Sequence, residues 1–239
     1  LVIEAVFEDM NVKQSIFREL DGLARDGAIL ATNTSTLDVD EIAAVTKRPN
    51  SVIGTHFFSP ANVMRLMETV RGKKTSDKTI SMAMNLGKQL GKAAVLVGNC
   101  DGFVGNRIYH QYTRQATFLL EEGALPKQVD KALYEFGFDM GPFAVSDIAG
   151  LEVSWRVRQR RAETRSPDER YSHIADKLCE MGRFGQKIGA GWYRYEGINR
   201  TPISDPITKD VIFGVSKELN FSRRDIGDEE IIERCLFTI

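Results

Sequence analysis

The sequence predicts an α/β layer domain over residues 1–99, with a largely parallel sheet, followed by an all-α domain over residues 100–222. Three observations predict it. Short apolar runs alternate with helical patterns through the first hundred residues. The character changes at Gly98-Asn99-Cys100-Asp101-Gly102. Helical spacing then dominates to the end of the chain.

Taken in order, Leu1 to Val6 reads as a buried strand. Asp9 is placed to cap a helix carrying Val12, Ile16, Leu20 and Leu23 on one face. Asp26-Gly27 makes a turn, and Ala28 to Thr32 is the next strand. Asp38 to Thr46 forms a helix with Asp38 and Glu41 at capping-box-like spacing. Val52 to Phe58 and Arg65 to Val70 are two strands around the turn Ser59-Pro60-Ala61-Asn62. Thr79 to Leu90 is a helix and Ala93 to Val97 the last strand. Beyond Gly102, Val104, Ile108, Tyr112, Ala116 and Leu119 recur at helical spacing until Gly123 to Pro126 interrupts them. Helices follow over 127–136, 150–161 and 174–181, and the stretch from Pro202 to Arg224 reads as a connector. The arginine-rich run from Arg156 to Arg170 reads as a solvated helix end and loop. A new amphipathic helix begins near Asp228.

A chain of 239 residues with 42% hydrophobic and 27% charged residues can bury a core without disulfides or metal. With 32 basic and 33 acidic residues it has no global attraction for nucleic acid or anionic membranes. No apolar run approaches the roughly 20 residues of a membrane-spanning helix. Cys100, Cys179 and Cys235 are far apart, which predicts neither a disulfide framework nor a metal cluster and favours a reducing compartment. The apolar starts and stops at Leu1 and Ile239 lead us to expect an internal fragment of a longer protein.

The chemistry concentrates in three segments. Asn33-Thr34-Ser35-Thr36 follows a strand, where open α/β sheets border their ligand crevice, although the same residues also serve as plain turn and cap residues. His56 lies in an apolar strand. If the strands flanking residue 62 pair antiparallel, Glu68 stands opposite it, which turns an ordinary core histidine into a candidate acid–base dyad. A carboxylate beside an imidazole fixes its tautomer. Asn106 stands one turn into the first helix of the all-α part, as a helix-terminus residue or as one reaching into the crevice.

These residues carry a resemblance. Glu4-Ala5-Val6-Phe7-Glu8, Asn33-Thr34-Ser35-Thr36-Leu37, His56-Phe57-Phe58-Ser59-Pro60 with Val63-Met64-Arg65-Leu66-Met67-Glu68, and Asp101-Gly102-Phe103-Val104-Gly105-Asn106-Arg107 resemble the L-3-hydroxyacyl-CoA dehydrogenase family. Gly141-Pro142-Phe143, Asp147-Ile148-Ala149-Gly150, Arg183-Phe184-Gly185-Gln186-Lys187 and Gly191-Trp192-Tyr193 extend the resemblance over almost the whole chain. Within the family the chain is most similar to the dehydrogenase part of peroxisome-type multifunctional enzymes, and residues 223–239 resemble the start of their second helical domain.

The resemblance implies a partial Rossmann-like domain, the second half of the nucleotide fold, before the helical domain. It implies NAD as cofactor and an acyl-CoA thioester as substrate, oxidised at C3 in fatty acid β-oxidation. His56 would be the general base, Glu68 its orienting carboxylate, and Ser35 and Asn106 the groups that hold the reacting oxygen. Glu8, Lys13, Asn33 and Lys187 match positions that contact NAD. A fused hydratase module or a homodimer, in the bacterial cytoplasm or the peroxisome, is the expected setting. The sequence contains no Gly-x-Gly-x-x-Gly leading from a strand into a helix, the usual pyrophosphate turn. The alternative expectation is therefore a catalytically silent piece that works in interdomain or subunit contacts.

Overall fold

In a computed structural model, which describes residues 1–198 and 200–239, the chain divides into two compact units, Leu1–Tyr109 and His110–Ile239. The first is built on five strands in the order β1-β2-β3-β4-β5: Val2–Glu4, Leu30–Thr32, Val52–Phe57, Leu66–Arg71 and Ala93–Gly98. All neighbours are parallel except β3 and β4, which form an antiparallel hairpin. The helices are α1 (Met10–Leu23), α2 (Val39–Ala44) and α3 (Asp77–Gln89).

Strand alternation explains the layering, because successive side chains leave opposite faces of a sheet. Leu30 and Val52 pack with Phe17 of α1 and Ile42 of α2, while Ile29, Ala31 and Ile53 pack with Ile80 and Ala83 of α3. The caps form as expected: Asp9 accepts from the Val12 N–H, and Asp38 accepts from those of Asp40 and Glu41.

Two expectations for this unit are corrected. The opening strand is shorter than predicted and not buried throughout. It lies at the sheet edge, with Ile3 39% exposed and only Glu4 fully buried. The buried face of α1 is Lys13 and Phe17, whereas Leu23 is 76% exposed. An ion pair with Glu4 carries Lys13 inward, and apolar periodicity does not register such a pair.

The second unit holds most of α4 (Gly105–Glu122), which begins in the first unit, and then α5 (Pro126–Phe136), α6 (Pro142–Ala149), α7 (Leu151–Ala162), α8 (Ile174–Glu180), α9 (Pro206–Glu218) and α10 (Asp228–Leu236). The stretch read as a connector contains α9. Asp205 caps it by accepting from the Ile207 N–H, Pro206 stands in its first turn, and Ile212 and Val215 are buried. α6, flanked by Gly141 and Gly150, also escaped the periodicity reading because it is only eight residues long. The arginine run ends α7 and continues into a loop, but it is not simply solvated. Arg158 pairs with Asp176 at 2.7 Å, and Arg170 spans Glu121 and Glu122 at 2.8 and 2.9 Å. α10 packs on α5, and its buried residues are Ile231 and Cys235. Among the described residues no helix is long and apolar enough to cross a membrane.

Candidate functional site

The β3–β4 hairpin pairs His56 directly with Glu68. Their side chains share a face, and the His56 Nδ1–H donates to Glu68 Oε2 at 2.8 Å, with side-chain exposures of 7% and 1%. This bond selects the tautomer with the lone pair on Nε2, which has no hydrogen-bond partner among the described residues. Phe58 and Phe103 wall the imidazole at ring-centroid distances of 4.4 and 5.9 Å.

The other oxygen of Glu68 accepts from the backbone N–H groups of Val104 (2.9 Å) and Gly105 (2.8 Å), where α4 begins. Burial by itself would raise the Glu68 carboxyl. The bonds from His56, Gly105 and Val104 outweigh it and hold the group below the ordinary range. Gly105 is required by close approach, since a Cβ there would stand 2.6 Å from Phe58 Cζ.

The loop after β2 is organised by one carboxylate. Glu8 Oε1 accepts from Thr34 Oγ1 (2.7 Å), the Ser35 N–H (2.8 Å), Ser35 Oγ (3.1 Å) and the Thr36 N–H (3.1 Å). Asn33 is anchored through its side-chain oxygen, which accepts from the Phe57 N–H at 2.9 Å; its amide nitrogen makes no bond among the described residues. Asn106 Nδ2 donates to the Ser35 carbonyl at 3.3 Å. Ser35 is thus joined to Asn106 and His56 to Glu68, and the bond from Gly105 to Glu68 links the two pairs. All four residues lie in the first unit.

Lys13 is 1% exposed, and its ammonium faces Glu4 Oε1 (2.7 Å), the Val6 carbonyl (3.3 Å) and Glu8 Oε2 (3.4 Å). Lys187 belongs to the second unit, on a 3-10 turn over Gln186–Ile188 beside a groove lined by Glu152, Trp155 and Phe184. Glu4, Phe58 and Gly105 stand in the motifs quoted above but carried no assigned role. A charged residue inside the apolar opening run was the available signal for Glu4. No grouping of three or more His, Cys, Asp or Glu able to hold a metal occurs among the described residues.

Residues 1–100 match the model of the 3-hydroxyacyl-CoA dehydrogenase NAD binding domain, and residues 102–195 match that of the C-terminal domain of the same family. The chain is 51% identical over 251 residues to a peroxisomal bifunctional enzyme of Danio rerio, covering 100% of this chain and 35% of that protein. It therefore spans about a third of the length of the curated relatives it matches. Among solved structures, the dehydrogenase part of multifunctional enzyme 1 from C. elegans is 35% identical, with a TM-score of 0.68, 98% of this chain covered and 53% of that one. The (S)-3-hydroxybutyryl-CoA dehydrogenase PaaH1 from Ralstonia eutropha is 37% identical, with a TM-score of 0.75, 82% of this chain covered and 70% of that one.

Proposed function

Since this chain belongs to the 3-hydroxyacyl-CoA dehydrogenase family, we propose that the whole protein oxidises L-3-hydroxyacyl-CoA to 3-ketoacyl-CoA in fatty acid β-oxidation, with His56 as general base. The observation that carries this reading is the buried His56–Glu68 bond with Nε2 left free. Nε2 takes the proton of the 3-hydroxyl. Glu68, already a carboxylate, stabilises the imidazolium without receiving that proton. Asn106 keeps its side-chain oxygen and one N–H for the substrate. Ser35 stands beside it, and together they hold the reacting oxygen.

NAD is the cofactor named for the domain matched by residues 1–100. Its nicotinamide supplies the hydride acceptor. The residues present fit that half of the molecule. The free amide nitrogen of Asn33 suits a carboxamide or ribose oxygen, and the Glu8 carboxylate suits a hydroxyl. Lys187 is proposed as an NAD contact on the family resemblance alone. A hydratase module on the same polypeptide, or a homodimer, is the assembly this reading carries, in a peroxisome or a bacterial cytoplasm; the native mass by light scattering checks it.

The test is kinetic and uses the full-length natural protein. Acetoacetyl-CoA should be reduced with NADH far better than free acetoacetate, and His56→Ala should abolish the difference by removing turnover. Equal use of free acetoacetate would assign the site to another hydroxy acid. A second reading, that these 239 residues alone are catalytically silent, is favoured by the lack of a Gly-x-Gly-x-x-Gly turn leading from a strand into a helix in the given sequence. Tight stoichiometric NAD binding to the chain in calorimetry would exclude it.

A further inference from the structure

Glu4 and Lys13 form an ion pair of 2.7 Å in which each side chain is 1% exposed. Removing both charges from water costs more than their attraction returns unless the other lone pairs and hydrogens are also satisfied. Here they are. Glu4 Oε1 accepts from the Val6 N–H at 2.7 Å as well, and Oε2 accepts from Thr32 Oγ1 at 2.8 Å. The Lys13 ammonium also donates to the Val6 carbonyl at 3.3 Å and stands 3.4 Å from Glu8 Oε2 as an ion pair. An apolar pair of similar volume would hold β1 against α1 equally well. What the charges add is felt at Glu8, the carboxylate on which the 34–36 loop hangs.

We propose that Glu4 and Lys13 are positioning residues: the buried pair fixes an ammonium against Glu8 and thereby sets the loop that presents Ser35. Lys13 then acts on the cofactor side of the site through the charge it sets against Glu8. The charged groups facing Glu8 are Lys13 from α1 and, behind it, Glu4 from β1. Thr34, Ser35 and Thr36 of the loop contribute hydrogen bonds and no titrating group. Burial works to raise the Glu8 carboxyl, but the bonds from Thr34 and Ser35 and the Lys13 charge hold it below the ordinary range. Loss of the ammonium therefore lets Glu8 protonate at a higher pH, and a protonated Glu8 has less acceptor capacity for the loop.

This inference rests on the reading that Ser35 faces the substrate, but its primary test does not. In the full-length natural protein, the double variant Glu4→Gln/Lys13→Met keeps an amide oxygen for the Val6 N–H, an amide N–H for Thr32 Oγ1 and the volume of the lysine stem. Hydrogen exchange read by mass spectrometry should show a peptide spanning 33–37 exchanging about tenfold faster than wild type in mildly acidic buffer, the order expected when hydrogen bonds to a charged acceptor are weakened. A peptide spanning 52–57 should be unchanged. Turnover should fall more at pH 6 than at pH 8, with the acyl-CoA KM held. If the double variant does not fold, Glu4→Gln alone should show faster exchange in the same peptide at a near wild-type melting temperature. Loop exchange equal to wild type in a folded variant, or equal acceleration in both peptides, would overturn the proposal. Loop release without a change in turnover would leave the positioning intact and instead remove Ser35 from the substrate.

Discussion

Glu68 bonds the His56 imidazole with one oxygen, at 2.8 Å, and the start of α4 with the other, through the N–H groups of Val104 and Gly105 at 2.9 and 2.8 Å. Neither oxygen is free to turn. The imidazole is held in one tautomer by a group that is itself locked to the backbone, so the base of the proposed reaction would be oriented before substrate binds.

In the full-length natural protein, Glu68→Gln should lower kcat by roughly a hundred- to ten-thousandfold, the usual worth of general acid–base assistance. The KM for acyl-CoA should change little, because Glu68 does not bond the substrate and its interaction strengthens toward the transition state. Steady-state kinetics with a hydroxyacyl-CoA check this. An unchanged kcat with a raised KM would make Glu68 a binding residue.

Acid should destabilise the first unit partly through the same carboxylate. The Glu68 carboxyl is held below its ordinary range in the folded state, so its contribution is present above the unfolded value of about 4.3 and is lost as pH falls through the lower folded value. Urea unfolding at pH 3 to 6 should show a shallower acid slope for Glu68→Gln than for wild type. Identical slopes would remove Glu68 from the acid response.

Gly105→Ala places a Cβ 2.6 Å from Phe58 Cζ, and Phe58 packs on His56. The ring must move, at a cost of about 1–3 kcal/mol, the usual range for overpacking. Thermal unfolding should show the loss, and turnover should fall with it. Gly98→Ala, where no heavy atom lies within 4 Å of the added Cβ, is the steric control.

Asp147 ties the second unit together by accepting from the N–H groups of Trp192 (2.8 Å) and Tyr193 (2.9 Å) and from the Tyr195 hydroxyl (2.8 Å). Asp147→Asn turns one acceptor oxygen into a donor facing these groups and should destabilise the unit by about 1–3 kcal/mol at pH 7. Burial pushes the Asp147 carboxyl up to about 6. A raised folded value means the native state binds the proton more tightly, so this group's contribution declines as pH rises from about 4 toward 6. The variant should lack that decline in a stability–pH profile.

The pairing of His56 with Glu68 was legible in the sequence because it is local. A turn at Ser59–Asn62 joins two adjacent strands, and antiparallel pairing about residue 62 must set 56 against 68. The caps at Asp9 and Asp38 were legible for the same reason, each needing only the next three residues. The bonds that join the rest of the candidate site were not legible. The second partner of Glu68 lies 36 and 37 residues away, and the organising role of Glu8 over Thr34 to Thr36 joins segments 26 to 28 residues apart. No spacing rule spans such distances.

By itself, then, the sequence determined the alternation of strands and helices, the change to helices after Gly102, and the pairing of His56 with Glu68. All three follow from repeats of two or about 3.6 residues and from a short turn. The tertiary structure decided that Lys13 is buried where Val12 and Leu23 were expected. It also decided that Pro206–Glu218 is a helix and that Glu68 is locked to the start of α4. These outcomes depend on charge pairs and hydrogen bonds between segments distant in the chain, and their energies exist only once the sheet has brought the partners together.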